Sequence, residues 1–396
     1  MSGVAGVLER AWREGGALAT LLRPVGALNR VLVGARSALY RSGRLATVPS
    51  PLPVVVVGNL SVGGTGKTPL TAHLVERLRA RGWRPGIVSR GHGGTPRETP
   101  WHVRHDDAAG AVGDEPLMLR RMTGAPVCVC VYRARAVAAL AADTDCDLVL
   151  SDDGLQHLAM ARDAEIVVVD AVAGFGNGRL LPAGPLREPV SRLDSVDLIA
   201  IRVPALDDEV IAANDLRGTH ERRGRDMPPA FRFATARPRM RRWPDGDWHD
   251  LASFRGRRVH AVAGIGRPAR FFETLRERGL IVDTRALPDH HVPDSADLAF
   301  DDDAPVLVTS KDAVKLDAVG ELPAELYEVR VEIETDAGAD VWIEALSERL
   351  RGRPESRNGA RSGAHRNGSE RRGVARSVDV AGWQGGLHRS RSGEEA

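Results

Sequence analysis

Short apolar runs rich in β-branched residues recur along the chain, and helical patterns separate them. Strands that alternate with helices are typical of a mostly parallel sheet with helices on both faces, so the fold class is α/β. The predicted strands are residues 53–57, 86–89, 127–131, 148–150, 165–169, 258–263, 305–309 and 326–333. The predicted helices are residues 67–81, 134–142, 269–278 and 341–350.

A longer helical pattern covers residues 17–45, before the first strand. Its apolar positions recur at three- and four-residue spacing: Val25, Leu28, Leu32, Ala35 and Leu39. There is no Asp or Glu between Gly15 and Val75, whereas five arginines fall there. A basic amphipathic helix of this kind can lie in an anionic membrane interface, or it can pack its apolar stripe on the protein's own core. The pattern alone leaves both interpretations open.

Two segments interrupt the alternation of strands and helices. Residues 217–248 are polar, rich in Arg and Pro and poorly periodic, which favours a connection between domains near the start of this segment. From Arg351 onward the chain has few apolar residues, which indicates a disordered tail. The sequence therefore predicts four parts: a helical region (1–48), a larger α/β domain (49–215), a smaller α/β domain (216–350) and the tail (351–396).

The composition agrees with a globular protein on the cytoplasmic side. Hydrophobic residues make up 42% of the 396 residues and charged residues 27%, which are ordinary values. We find no apolar run of the ~20 residues that a spanning helix needs, and no signal-peptide core. The three cysteines, Cys128, Cys130 and Cys146, are too few for a disulfide framework and are interpreted as small buried hydrophobes.

Lysine is rare in this chain. Of 55 cationic residues only Lys67, Lys311 and Lys315 are lysines. Because the compact ammonium of Lys and the planar guanidinium of Arg are not interchangeable, a surviving lysine can mark a site that requires it. Lys67 lies in the motif described next, and the pair at 311 and 315 marks a second segment of interest, unless chance in an Arg-biased sequence left it there.

A glycine-rich turn joins the first predicted strand to the following helix. It reads Ser61-Val62-Gly63-Gly64-Thr65-Gly66-Lys67-Thr68, and Ser61 stands where the strict phosphate-loop pattern has Gly. Glycines allow backbone N–H groups to close around phosphates, and the start of a helix favours anions. Lys67 is expected to reach the β- and γ-phosphates, and the Thr68 hydroxyl to bind Mg²⁺. The turn therefore predicts a site for a nucleoside triphosphate, and it indicates that the larger domain (49–215) is of P-loop NTPase type.

A pair of carboxylates follows the predicted strand at 148–150. Asp152 and Asp153 at this position resemble a Walker B element, whose carboxylate holds the Mg²⁺ shell, although an Asp-Gly turn at a strand end has the same sequence. His157 follows closely, and it is either structural or able to donate to a phosphate or to orient a carboxylate.

Two further acidic motifs are candidates for proton transfer. In Gly113-Asp114-Glu115-Pro116 the acids either cap a helix or supply a catalytic base for a substrate hydroxyl. In Asp289-His290-His291 the adjacent carboxylate can tune a proton-transfer imidazole, which by itself does not define a site.

Taken together, these segments closely resemble the tetraacyldisaccharide 4'-kinase family of lipid A biosynthesis. The likeness spans roughly residues 5 to 350, and Ser61 agrees with the hydroxyl residue that the family has in its loop. The matching stretches are 57–69, 88–94, 113–116, 151–157, 175–188, 263–266, 270–272, 289–290 and 311–315. Two positions depart from the family: His92 stands where Tyr is expected, and Ser310 where Glu is expected.

The resemblance implies a reaction in which ATP phosphorylates the 4'-hydroxyl of a tetraacyldisaccharide 1-phosphate lipid. It implies docking of the N-terminal helix on the cytoplasmic face of the inner membrane, and neither a nucleic acid nor an obligate protein partner. Within the site, it implies that Asp114 pairs with His290 to activate the hydroxyl while Lys67 holds the phosphates.

The resemblance also implies that Glu115, Asp152 and Asp153 shape the Mg²⁺ site with Thr68, with His157 close by. Arg90 and the cationic helix are expected to face the phosphate of the lipid. Two rival functions remain at this point: a membrane-associated ATPase of the partitioning type, and a non-catalytic nucleotide-binding protein. The first rival does not account for the motifs at Asp114 and His290, and the second predicts that Asp114→Ala leaves all activity intact.

Overall fold

The computed structural model describes residues 11–12, 16–206 and 228–353, and its strands join in one large sheet. The strands are β1 (Val54–Gly58), β2 (Pro85–Ser89), β3 (Trp101–Val103), β4 (Val127–Val129), β5 (Leu148–Asp152), β6 (Ala164–Asp170), β7 (Leu198–Val203), β8 (Ala230–Arg242), β9 (His249–Asp250), β10 (Arg258–Ala263), β11 (Ile281–Ala286), β12 (Val306–Thr309) and β13 (Leu326–Thr335). Their order is β11-β10-β12-β13-β8-β7-β6-β1-β5-β2-β4-β3, with β9 paired to β8.

The helices cover both faces of this sheet. They are α1 (Ala17–Leu21), α2 (Arg23–Arg41), α3 (Lys67–Arg79), α4 (Ala109–Val112), α5 (Asp114–Thr123), α6 (Arg133–Asp143), α7 (Pro268–Glu277), α8 (Ser295–Leu298), α9 (Ser310–Ala313) and α10 (Ala337–Arg351). In β1, Val55 and Val57 pack in one core with α3, α5 and α10, whereas Val54 and Val56 pack in another with α6. This alternation explains why the strand is apolar throughout.

The predicted mostly parallel sheet is confirmed. Among the described strands, only the pairs β3–β4, β8–β9 and β8–β13 are antiparallel. Strands from the two halves of the chain meet at β8 and β13 in the middle of the sheet. The division into four parts at the boundaries given above stays a prediction, and the tail beyond residue 353 lies outside the described residues.

The prediction for residues 217–248 is wrong over residues 230–242, which form the 13-residue strand β8. Phe231, Phe233 and Met240 are buried, and arginines alternate with them on the other side of the strand. This period of two is present in the sequence, but the high Arg content hid it, because arginine tips can reach water from a half-buried strand. The start of the segment, through residue 227, lies outside the described residues.

Truncating Phe231 in β8 tests this placement. Its side chain is only 1% exposed and packs in the core that contains α3. We expect Phe231→Ala to lower the free energy of unfolding by about 3–5 kcal/mol, measured by denaturant titration. Val341→Ala is the control, because Val341 is 62% exposed and its truncation should change stability by no more than about 0.5 kcal/mol. Equal losses in the two variants would show that Phe231 is not a core residue.

The N-terminal helical region differs in detail from the pattern. It forms α1 and α2 with a break at Leu22, and α2 ends at Arg41 rather than at 45. Gly26 packs closely on Ala183, and Asn29 Nδ2 donates to Leu181 O over 2.8 Å. The apolar stripe from the sequence is exposed instead; Leu28, for example, is 59% exposed. The interpretation in which this stripe packs on the protein's own core is therefore wrong for the described residues.

Candidate active site

The phosphate loop lies at the carboxyl end of β1 and leads into α3. Its start is held against a distant segment, because Val62 N donates to Pro185 O over 2.9 Å and Arg187 N donates to Leu60 O over 2.6 Å. Gly63 and Gly66 have φ angles of 107° and 92°, which L side chains rarely adopt. These glycines therefore turn the chain sharply before α3 begins at Lys67.

The loop presents unpaired donors at its rim. The first N–H groups of any α-helix have no intrahelical partner, and here they follow a glycine-rich turn. The buried Thr65 hydroxyl also has no hydrogen-bond partner among the residues that the structure describes. Lys67 Nζ lies 3.7 Å from Asp153 Oδ1, so its ammonium is held beside the loop. This arrangement fits the phosphates of a nucleotide.

The two adjacent aspartates have different environments. Asp152 is buried at the end of β5, and its oxygens lie 3.4 Å from Thr68 Oγ1 and 3.1 Å from Thr71 Oγ1. Burial and the charge of Glu115 raise the pKa of Asp152 to about 7, because the charge of Lys67, which lowers this pKa, offsets only part of the rise. The carboxylate of Asp152 thus lacks sufficient positive charge, which a bound cation would supply.

Asp153 is already paired with cations. Arg187 Nη1 lies 3.1 Å from Asp153 Oδ2, and Lys67 lies on the same carboxylate. Burial raises the pKa of Asp153, but Lys67 and Arg187 outweigh it and hold the pKa below its usual range. Asp153 also has a left-handed backbone, with φ of 50°, which turns the chain at the end of the strand. Lys67 and Arg187 are therefore held in place by Asp153.

The acidic residues near the loop can supply only part of the coordination shell of Mg²⁺. Within 11–12, 16–206 and 228–353, no group of three or more His, Cys, Asp or Glu side chains is arranged to hold a metal. Mg²⁺ does not need such a cage, since it binds through one or two carboxylates, phosphates and water. Asp152 and the Thr68 hydroxyl supply a protein side of this kind, and Glu115 is near enough to affect the charge of Asp152.

Asp114 and His290 form a carboxylate–imidazole pair, although 176 positions separate them in the sequence. His290 Nδ1 lies 2.9 Å from Asp114 Oδ2 and 3.3 Å from Asp114 Oδ1. Asp114 is the first residue of α5, and its Oδ1 also accepts from Glu115 N over 3.0 Å. The helix-start and proton-transfer interpretations of this motif are thus compatible in one side chain.

A close contact between two loops fixes the position of Asp114 at the start of α5. The backbone at Gly94 approaches Gly113 so closely that a Cβ on Gly94 would lie 2.4 Å from Gly113 N. Gly113 itself has a φ of 93°. Any side chain at Gly94 would therefore push α5, and Asp114 with it, away from the loop that carries His92. The His92 ring in turn lies edge-on to His290, with 5.4 Å between ring centroids.

Lys311 joins the acidic residues of the two halves. Its Nζ lies 3.2 Å from Asp289 Oδ1, 3.5 Å from Glu115 Oε1 and 3.8 Å from Asp114 Oδ2. Burial lowers the pKa of Lys311, but Glu115, Asp114 and Asp289 outweigh it, so the pKa lies above its usual range. In the sequence, the rarity of lysine and the family-like stretch 311–315 both marked this residue. The neighbouring Ser310, which departs from the family, donates to Glu328 Oε1 over 2.6 Å.

His157 and Arg90 lie among arginines, one of which, Arg133, contacts Asp153. Burial and the charges of Arg133, Arg162, Arg36 and Arg90 lower the pKa of His157 to about 4. The imidazole is therefore neutral near pH 7. Arg90 itself is exposed.

Three side chains that contact Asp152 or Asp153 were not predicted as site residues from the sequence: Thr71, Arg133 and Arg187. Arg133 Nη2 donates to Asp153 O over 3.3 Å. Arg187 lies inside the family-like stretch 175–188, which was its only signal. Thr71 lies one helical turn after Thr68, and residues at this spacing share a helix face.

The pKa of His157 makes stability depend on pH. Between its ordinary pKa of 6.5 and about 4, the unfolded state binds more protons, so the free energy of unfolding falls as the pH falls through this range. We expect His157→Gln to lose less stability than the wild type between pH 7 and pH 4.5, measured by urea unfolding. His73→Gln should behave similarly, since burial and Arg77 lower the pKa of His73 to about 4 as well. An unchanged slope in His157→Gln would contradict the shift.

Several known proteins are similar to this chain over most of its length. The family model described as tetraacyldisaccharide-1-P 4'-kinase matches residues 18–351. The tetraacyldisaccharide 4'-kinase of Azoarcus sp. (strain BH72) is 48% identical over 353 residues, covering 87% of this chain and 95% of that protein. The enzyme of that name from Pseudomonas aeruginosa (strain LESB58) is 42% identical over 344 residues, covering 87% and 97%.

The fold is shared with a solved structure. A crystal structure of "apo" form LpxK from Aquifex aeolicus in complex with ATP superposes with a TM-score of 0.68 at 23% identity, covering 84% of this chain and 98% of that one. With the match over residues 18–351 and these identities, the chain belongs to the tetraacyldisaccharide 4'-kinase family.

Proposed function

We propose that this protein transfers the γ-phosphate of ATP to the 4'-hydroxyl of a tetraacyldisaccharide 1-phosphate lipid. The observation that carries the proposal is the pair of Asp114 and His290, with 2.9 Å between its nearest atoms. The neighbouring Glu115 is close enough to affect the pKa of Asp152 beside the phosphate loop. A base for an acceptor hydroxyl therefore lies near the site for a triphosphate, as transfer to an alcohol requires.

The residues take separate roles in this proposal. Lys67 and the amides of residues 61–68 bind the triphosphate, and the donors at the start of α3 absorb charge on the transferred group. Thr68 and Asp152 hold Mg²⁺, with Glu115 beside them; when bound, the ion neutralises phosphate charge. Asp114 accepts the proton of the hydroxyl, and His290 keeps the carboxylate in position.

We further propose that α2 lies on the anionic surface of the membrane, at the cytoplasmic face of the inner membrane. Its exposed apolar side chains include Leu28, Val31 and Leu32, and Arg23 and Arg30 are exposed beside them. No helix in the described part of the chain is long and apolar enough to cross a membrane. Sedimentation with phosphatidylglycerol vesicles, but not with phosphatidylcholine vesicles, is the expected result. We propose no nucleic-acid partner and no obligate protein partner.

The catalytic proposal has a direct test. Purified protein, labelled ATP, Mg²⁺ and a disaccharide 1-phosphate lipid in detergent micelles should yield a 4'-phosphorylated lipid. Hydrolysis of ATP without a labelled lipid would favour an ATPase of the partitioning type instead. The absence of both products with a folded, ATP-binding protein would favour a non-catalytic role.

A further inference from the structure

Lys315 and Asp312 form an ion pair that none of the roles above uses. Lys315 Nζ lies 2.7 Å from Asp312 Oδ1, and the two side chains are only 2% and 1% exposed. Such burial is costly for both charges unless every donor and acceptor is satisfied. Lys315 is also one of the three lysines that this Arg-rich chain has kept.

The carboxylate of Asp312 connects α9 to the end of β10. Its Oδ2 accepts from Gly264 N over 3.0 Å and from the Thr309 hydroxyl over 2.7 Å. A Cβ on Gly264 would lie 3.0 Å from Asp312 Oδ1 and 3.2 Å from Pro288 O. Asp312 therefore holds the loop after β10, and Gly264 in that loop lies close to the turn that contains Pro288.

The ammonium of Lys315 holds that turn from the other side. Lys315 Nζ donates to His291 O over 2.7 Å, in addition to its bond with Asp312. The turn also contains the bond from His291 N to Pro288 O, at 3.1 Å. We call Lys315, Asp312 and the carbonyl of His291 the lysine strap.

The lysine strap binds His291, which directly follows His290. The φ of His290 is 62°, a left-handed conformation that a non-glycine residue keeps only where surrounding contacts fix it. Relaxation of this backbone would turn the imidazole away from Asp114. The strap acts one peptide further on, because it binds the carbonyl of His291, which belongs to the peptide that joins residues 291 and 292.

We propose that Lys315 is a positioning residue for the Asp114–His290 pair: its buried ammonium, balanced by Asp312, holds the turn in the conformation that aims His290 at Asp114. The inference rests on the proposed kinase function only for its kinetic test. A lysine is required because the enclosed space offers one carboxylate oxygen and one carbonyl. The five donors of a guanidinium would not all be satisfied there.

The main variant removes both charges of the strap. Lys315→Met with Asp312→Asn leaves no unpaired charge, and the Asn oxygen can still accept from Gly264 N. We expect kcat to fall about 10- to 100-fold, since small misplacements of a catalytic group have effects of that order, while KM for ATP stays within about twofold. The control removes an ion pair between β8 and β13 of the same sheet, Arg241→Met with Glu328→Gln, where Arg241 Nη2 lies 2.7 Å from Glu328 Oε2 and the side chains are 24% and 6% exposed. The control should keep kcat near the wild-type value.

A double-mutant cycle separates positioning from a general loss of packing. In a His290→Ala background, the strap variant should cause no further fall in kcat, because the group that the strap positions is absent. An additive fall in kcat would overturn the proposal.

A spectroscopic readout is independent of activity. The imidazole nitrogen signals of His290, assigned in ¹⁵N spectra by their loss in His290→Ala, should move in the strap variant toward their values in Asp114→Ala. Wild-type signals in a folded strap variant would overturn the proposal even if the wild-type protein phosphorylates no lipid. An inactive wild type with moved signals would instead overturn only the kinase function.

The single variant Lys315→Arg covers the case in which the double variant does not fold. It keeps the charge but not the compact shape, and we expect a lower kcat and displaced His290 signals. Wild-type behaviour of Lys315→Arg in both measurements would overturn the proposal.

Discussion

Replacing Asp114 with asparagine is expected to lower kcat for lipid phosphorylation by about 10²- to 10⁴-fold, the usual contribution of a positioned general base. An amide has nearly the shape of a carboxylate and can still accept from Glu115 N, but it cannot take up the proton of the hydroxyl. ATP binding should persist, because Lys67 and the loop amides lie on a different element from α5. Product formation and ATP binding by calorimetry are the two measurements.

Asp106→Asn is the matched control for this experiment. Asp106 is exposed, so the same chemical change there should leave kcat unchanged. His290→Ala should lower kcat less than Asp114→Asn does, since His290 acts through Asp114. If Asp114→Asn kept kcat within about tenfold of the wild type, another group would have to be the base.

Much of the sheet could be predicted from the sequence because its signals are local. The inner strands β1 and β6, for example, are mostly apolar runs of five and seven residues, and the helix of the phosphate loop begins at the lysine of its motif. Where a strand carries arginines on one side, as β8 does, composition conceals the period of two and the strand is missed. The prediction failed there because long cationic side chains satisfy both a half-buried strand and an exposed loop.

The candidate site is harder to predict because it is assembled from distant segments. Asp114 and His290 are 176 positions apart, and only the family resemblance suggested that they pair. Arg187 reaches Asp153 because residues 60–62 pair with residues 185–187, a contact that neither segment predicts alone. Local patterns show which residues are available for chemistry, whereas packing decides which of them meet.

The aspartate pair illustrates the same limit. In the sequence Asp152 and Asp153 are equivalent neighbours, and both were expected at the metal. Their pKa values move in opposite directions, because Asp152 is buried next to Glu115 whereas Asp153 has Lys67 and Arg187. We therefore propose that Asp152 is the Mg²⁺ ligand and that Asp153 positions the two cations. Carboxylates whose pKa values are pushed apart commonly have such divided roles.

Replacing Lys67 with methionine is expected to lower kcat/KM by at least about 10²- to 10³-fold, because a preorganised positive charge on the transferred phosphoryl group is lost. The loss should appear in both ATP affinity and kcat, since Lys67 reaches the phosphates before and during transfer. Asp153 would keep only Arg187 as its ionic side-chain partner among the described contacts, so some loss of stability should accompany the change. Calorimetry with ATP and steady-state kinetics separate the two effects.

Lys67→Arg is the sharper variant, because it preserves the charge. If charge alone mattered, arginine would restore most of the activity, as it has replaced lysine at nearly every other position of this chain. The side chain of Lys67 is only 13% exposed, and it follows Gly66, which adopts a left-handed conformation. We therefore expect Lys67→Arg to regain less than about a tenth of the lost kcat/KM, because a planar guanidinium does not fit where a point charge does. Wild-type kcat/KM in Lys67→Arg would mean that the surviving lysine reflects chance rather than the chemistry of the loop.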